Sequence, residues 1–304
     1  ATTAQKQTID TMYQEASQLP DGGSEVATQS QAQSIEQQSD EPAAVVHKSA
    51  EELLEEALAD LDRLVGLGNI KQEVRTLANY LKVQGHRKEA GLPTTPLSLH
   101  MVFHGNPGTG KTTIARVLGK VFGAMGILDK GHLVETDRSG LVAGYAGQTS
   151  LKTEEKIDEA LDGVMFIDEA YSLVSSTSDD PYGQEAIQVL LKRMEDQRDR
   201  LVVVLAGYPE EMRQLLASNP GLSSRFSRHL DFEDYSALEL AEIFGQMCEK
   251  NHYRLPPDAR AKVIVGFDDL HGTRDAHFGN GRTVRNVFEL AIRHMANRIV
   301  QIAD

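Results

Sequence analysis

The sequence predicts an α/β protein, in which a parallel sheet covered by helices is followed by a small domain made of helices alone. Three observations predict it. Short apolar runs alternate with helical patterns between residues 99 and 232. A glycine-rich loop stands between the first of those runs and a helical pattern. After Tyr235 the strand-like runs cease and only helical spacing continues. Strands separated by helices pair in parallel, and a parallel sheet needs both faces covered.

Residues 1–48 are rich in Gln, Ser, Thr and Ala and hold few large apolar side chains. Such a segment buries too little surface to offset its ordering entropy, so it reads as a disordered leader or linker. A short partner-binding helix over Ile9–Leu19 is the alternative. Order is expected from Ser49. Leu53, Leu54, Ala57, Leu58, Leu61 and Leu64 recur at helical spacing. Ser49 is the expected N-cap, with Glu52 as its capping-box partner. A second helix is expected from Asn69 to Ala90, ending at Gly91-Leu-Pro. Strands are expected over Leu99–His104, His132–Glu135, Gly163–Ile167, Leu201–Ala206 and His229–Phe232. Helical patterns over 236–250 and 257–266, and an apolar stripe from Val284 to Met295, build the second domain. The expected division is therefore a leader at 1–48, an α/β domain at 49–235 and a helical domain at 236–304.

The net charge is −14, but residues 1–60 hold twelve acidic residues against two lysines. A net −10 of that charge therefore falls within the first 60 residues, and the rest of the chain is only about −4. No basic stripe stands out, so nucleic acid is an unlikely partner. No apolar run reaches the roughly 18 residues of a membrane helix, so no membrane insertion is expected. No basic-plus-apolar targeting pattern opens the chain. A single cysteine, Cys248, excludes an internal disulfide framework and fits a reducing compartment. A cytoplasmic location is expected, or the plastid stroma in a photosynthetic eukaryote.

The loop Gly105-Asn106-Pro107-Gly108-Thr109-Gly110-Lys111-Thr112 matches G-x-x-x-x-G-K-[ST]. Its glycines let backbone N–H groups turn inward around phosphates, and the helix that opens at Lys111 points its positive end the same way. Lys111 is expected at the β- and γ-phosphates of ATP, and the Thr112 hydroxyl on Mg²⁺, with Thr113 beside it. The run Val164-Met-Phe-Ile-Asp168-Glu169 is an apolar strand ending in two acids. Acids at the mouth of a buried strand need a cation or water. Asp168 suits Mg²⁺ through its water shell, and Glu169 suits activation of the attacking water. Arg225, Arg282 and Arg285 follow; Arg225 lies in a turn-rich stretch before the last strand. Hydrolysis needs cations on the developing phosphate charge beyond one lysine.

These residues, in this order, resemble the AAA+ ATPases, and among them the CbbX (red-type rubisco activase), stage V sporulation protein K and type VII secretion ATPase group. The resemblance runs from about Leu61 to Ile302. It is carried by Leu99–Thr112, Phe166-Ile-Asp-Glu-Ala-Tyr171, Asp180-Pro-Tyr-Gly-Gln-Glu-Ala186 and Asn280-Gly-Arg-Thr-Val-Arg-Asn286. It implies an ATP hydrolase that remodels a protein in a homo-oligomeric ring, a hexamer, with the rubisco large subunit as one possible substrate. Lys111 and Thr112 then resemble the Walker A residues, and Asp168 and Glu169 the Walker B pair. Arg225 resembles the arginine finger, and Arg282 the sensor-2 arginine with Arg285 as runner-up. Val65-Gly66-Leu67 resembles the adenine-flanking segment, and Gly144-Tyr145-Ala146-Gly147 the aromatic pore loop. Tyr208 stands where many of these proteins carry a polar sensor-1 side chain, which leaves that role open. The rival reading is an ATP-dependent switch or scaffold, in sporulation or secretion, that does not thread its partner.

Overall fold

The computed structural model describes residues 48–94, 97–145, 147–174 and 181–303. The expectations for residues 1–47, Ile9–Leu19 among them, fall outside these, as do Ala146 and Asp180. The first helix, α1 (Ala50–Asp62), starts as its capping box requires. The Ser49 hydroxyl accepts from the Glu52 amide at 3.2 Å, and the Glu52 carboxylate accepts from the Ser49 amide at 2.7 Å. α2 (Gly68–Glu89) carries Arg87 and Lys88 in its last turn, and their charge suits the negative end of a helix.

Every expected strand is present, shifted by at most two residues. They are β1 (Met101–Gly105), β2 (Leu133–Thr136), β3 (Gly163–Ile167), β4 (Leu201–Gly207) and β5 (Arg228–Phe232). They form one sheet in the order β2-β3-β4-β1-β5, with every pairing parallel. The crossovers are α3 (Lys111–Ala124), α4 (Arg138–Leu141), α5 (Thr149–Glu159), a 3₁₀ turn at Ala170–Leu173, α6 (Pro181–Asp196), α7 (Pro209–Ser218) and α8 (Pro220–Arg225). The stretch around Arg225, expected as turns, is helical. Asn219 caps it by accepting from the Gly221 amide at 2.8 Å, and Pro220 fits its first position.

The strands alternate cleanly between two cores. Met101, Phe103, Phe166, Val202 and Val204 face α1 and α3. Val102, Met165, Ile167, Val203 and Leu205 face α5, α6 and α7. The lid consists of α9 (Ala237–Lys250), α10 (Pro257–Gly272) and α11 (Gly281–Ala303). α10 runs six residues past the expected 266. Ser236 and Glu239 form a second capping box at the start of α9. Phe244 meets Phe267 and Phe288 edge-on at 6.2 and 5.8 Å. The α1–α3 core continues through Tyr235 and Ala237 into Leu240, Phe244 and Phe288, so lid and sheet share one apolar cluster.

The close seating of α3 on the loop before β2 yields a stability test. A Cβ at Gly119 would stand 2.4 Å from the Gly131 carbonyl oxygen. Helix propensity alone favours alanine over glycine by about 1 kcal/mol. Backbone overlap costs roughly 1–3 kcal/mol and opposes it. Gly119→Ala is expected to lower the urea midpoint; a raised midpoint would show that α3 is free to move away.

Candidate active site

β1, β3 and β4 end side by side. Their carboxyl ends open onto a cavity of about 650 Å³ between the sheet and the lid, the place where open parallel sheets bind ligands. The phosphate loop leaves β1. Gly108 has φ +76°, and a Cβ there would sit 2.4 Å from the Gly279 carbonyl oxygen, so only glycine fits the position without strain. Lys111 is 9% exposed. Its ammonium donates to the Gly105 and Asn106 carbonyls, both at 2.8 Å. Burial pushes the Lys111 pKa down to about 8, while Asp168 works to raise it and Arg282 to lower it.

The acidic pair leaves β3. Asp168 is half-buried and Glu169 exposed. An Asp168 carboxylate oxygen accepts from the Glu169 amide at 3.0 Å. Glu169 has φ +47°, a left-handed conformation uncommon outside glycine and concentrated at functional sites. Between these loops β4 ends at Gly207-Tyr208. The Tyr208 ring lies 5.9 Å from Tyr171 and meets His277 of the lid edge-on at 4.8 Å. Burial, then the Glu169 charge, pushes the Tyr171 phenol up to about 12.

The structure brings most of the expected residues to this cavity: Val65, Gly105, Pro107, Gly108, Gly110, Lys111, Thr112, Thr113, Asp168, Glu169, Arg282 and Arg285. Gly66 lies beside the wall and not in it. Asn106 and Thr109 turn their side chains away from it. Asn106 donates to Asp234 at 2.9 Å, and the Thr109 hydroxyl donates to the Asn106 carbonyl at 2.8 Å. Arg225 is outside the cavity, on α8, 3.3 Å from the Glu195 carboxylate. Tyr145 does not line it either, and its side chain is exposed on a loop. Sequence reasoning missed the wall that α9 supplies through Ile243, Gln246, Met247 and Lys250. Their helical spacing carries no mark of a ligand.

The comparisons with known proteins agree with this geometry. The model of the ATPase family associated with various cellular activities (AAA) matches residues 101–234, and that of the AAA lid domain matches residues 236–304. Stage V sporulation protein K of Bacillus subtilis (strain 168) is 43% identical over 249 residues, covering 82% of this chain and 77% of that protein. The chain belongs to the AAA family of ATPases.

Other members are as similar. Protein CbbX of Cereibacter sphaeroides is 43% identical over 247 residues, covering 80% of this chain and 79% of its own. The chloroplastic ribulose bisphosphate carboxylase/oxygenase activase of Cyanidioschyzon merolae (strain NIES-3377 / 10D) is 42% identical over 247 residues, covering 81% and 84%. As an AAA ATPase the chain binds nucleotide and hydrolyses ATP. No helix among the described residues is long and apolar enough to cross a membrane.

The depressed Lys111 pKa ties nucleotide affinity to pH. Phosphate charge at Nζ favours the ammonium, so the filled site has the higher pKa. With Lys111 at the phosphates, ATP binding should take up a proton once the solution passes about pH 8. Affinity for a non-hydrolysable ATP analogue should be level below pH 8 and fall up to about tenfold per unit above it. Calorimetry in two buffers of different ionisation heat should register the uptake at pH 8.5; equal heats there would contradict the assignment.

Proposed function

We propose that this AAA ATPase uses ATP hydrolysis to remodel a protein substrate from within a ring of its own copies, a hexamer. The observation that carries the reading is Tyr145. It is 73% exposed. Its neighbour Gly144 has nothing within 4 Å of where a Cβ would stand, and the same is true of Gly147, at φ +79°. An aromatic ring on an uncrowded loop has no core to join. Several copies around a channel would hold an extended chain by apolar contact without reading its sequence. Leu151, also exposed, lies in the first turn of the helix that follows.

In this reading Lys111 and the inward loop N–H groups hold the phosphates. The donor set suits Mg²⁺: Asp168 and Thr112 face the same cavity. No group of three or more His, Cys, Asp or Glu is placed for a metal among the described residues. A hard cation held by one carboxylate, one hydroxyl and phosphate oxygens fits that pattern, and when bound it would neutralise phosphate charge. Glu169 positions and deprotonates the attacking water. Arg282 reaches the phosphates from the lid, and Arg225 acts on the site of the neighbouring copy. The division into a domain at 49–235 and a lid at 236–304 goes with this reading, as does a cytoplasmic or stromal location. The relatives' names point to sporulation and to rubisco at almost equal identity, so they do not choose the substrate.

Glu169→Gln keeps the phosphate cradle and removes the base. It should bind ATP near normally and hydrolyse it at least about a hundredfold more slowly; turnover near wild type would remove Glu169 from that role. Tyr145→Ala should leave basal ATPase within a few-fold of wild type and abolish substrate-stimulated ATPase and remodelling. Full remodelling by Tyr145→Ala would sink the threading mechanism and favour the switch or scaffold.

A further inference from the structure

The linker between sheet and lid holds a polar cluster that the site as described does not use. One Asp234 carboxylate oxygen accepts from two amides: Asn106 Nδ2 of the phosphate loop at 2.9 Å and Asn280 Nδ2 of the lid at 2.7 Å. Asn280 is fully buried and left-handed, with φ +45°. Its amide also donates to the Phe278 carbonyl at 3.0 Å, and its carbonyl accepts from the Tyr235 amide at 2.9 Å. The next linker residue, Tyr235, donates its hydroxyl to the Thr109 carbonyl at 3.1 Å. The linker thus holds the loop at two points, Asn106 and Thr109. A third tie joins loop and lid directly, from the Gly281 amide to the Gly108 carbonyl at 3.1 Å.

We propose that Asp234 is a positioning residue for ATP hydrolysis. By joining Asn106 to Asn280 it sets the phosphate loop against the turn that opens α11 and presents Arg282 to the cavity. The reasoning is mechanical. The loop carries three glycines with positive φ, Gly105, Gly108 and Gly110, and little in its own backbone restricts it. Lys111 and Thr109 tie the loop from within through the Gly105 and Asn106 carbonyls, and which N–H groups face the phosphates depends as well on what grips it from outside. Arg282 follows the Asn280-Gly281 turn directly, so the carboxylate that holds the loop also holds that turn. Catalysis by preorganised donors is sensitive to displacements near 1 Å, which can cost about a hundredfold. The opposite oxygen of Asp234 lies 3.7 Å from Arg274 Nε. That contact is long and its Arg274 end is exposed, so it adds little. The two amide bonds carry the function, and an uncharged carbonyl at the same place can accept both.

The test uses the full chain, with basal ATPase as the readout, so its outcome is independent of whether a protein is threaded. Asp234→Ala should lower kcat about tenfold, with the KM for ATP changed less than about threefold and the melting temperature within a few degrees of wild type. Asp234→Asn, which keeps the double acceptor, should stay within about twofold of wild-type kcat. Asn106→Ala should resemble Asp234→Ala, and the double variant should be no slower than either alone, because both break one link. Wild-type kcat in Asp234→Ala would overturn the proposal. So would an Asp234→Asn variant as slow as Asp234→Ala, or fully additive losses in the double variant.

Discussion

The structure depends on the position of β1. Its five residues are all buried, held between β4 on one side and β5 on the other, in parallel on both. A strand so enclosed has no side chain to offer a ligand. Its chemistry must lie where it ends, and the parallel arrangement puts the ends of β3 and β4 at the same edge. Phosphate loop, acidic pair and Tyr208 converge for that reason, although the chain reaches them at residues 105, 168 and 208. Placing them apart would require reversing a strand, which the helical crossovers forbid.

Within that edge the charges are arranged around one buried cation. The Lys111 ammonium is satisfied by two carbonyls of its own loop, so the loop is held in shape by the group that is to receive the phosphates. Carboxylates at Asp168, Glu169 and Asp234 raise its pKa, and Arg282 opposes them. In the proposed reading Lys111 would exchange carbonyl partners for phosphate oxygens, which would limit the desolvation that binding must overcome.

Much of this was legible in the sequence, because the signals were local. The phosphate loop, the acids after an apolar strand and the Ser49–Glu52 capping box are fixed spacings within a few residues, and the strands show as apolar runs. What spacing does not show are side-chain roles set by partners distant in the chain. Asn106 matches an x position of the loop pattern, and its turn toward Asp234, 128 residues on, leaves no trace in spacing. Asn280 reads as a polar residue before a helix, yet it is fully enclosed by the linker and Phe278. Asparagine, proline and glycine ahead of Arg225 read as turns, although the same residues begin helices. Tyr208 showed only as a departure from a pattern; its place between Tyr171 and His277 is a property of the folded chain.

The apolar cluster common to sheet and lid governs how the two can move. A lid joined only by a linker would turn like a door. Here Leu240, Phe244, Val284 and Phe288 belong to the same packed interior as Phe103 and Leu118, and close-packed interiors shift between discrete arrangements and do not deform continuously. Movement of the lid is therefore a shear: side chains slide past one another over short distances while contact is kept. A displacement begun at the phosphates would pass into α11, whose first turn touches the phosphate loop and which is 23 residues long. At about 1.5 Å per residue, that helix would carry a slide of its first turn over a span of roughly 35 Å.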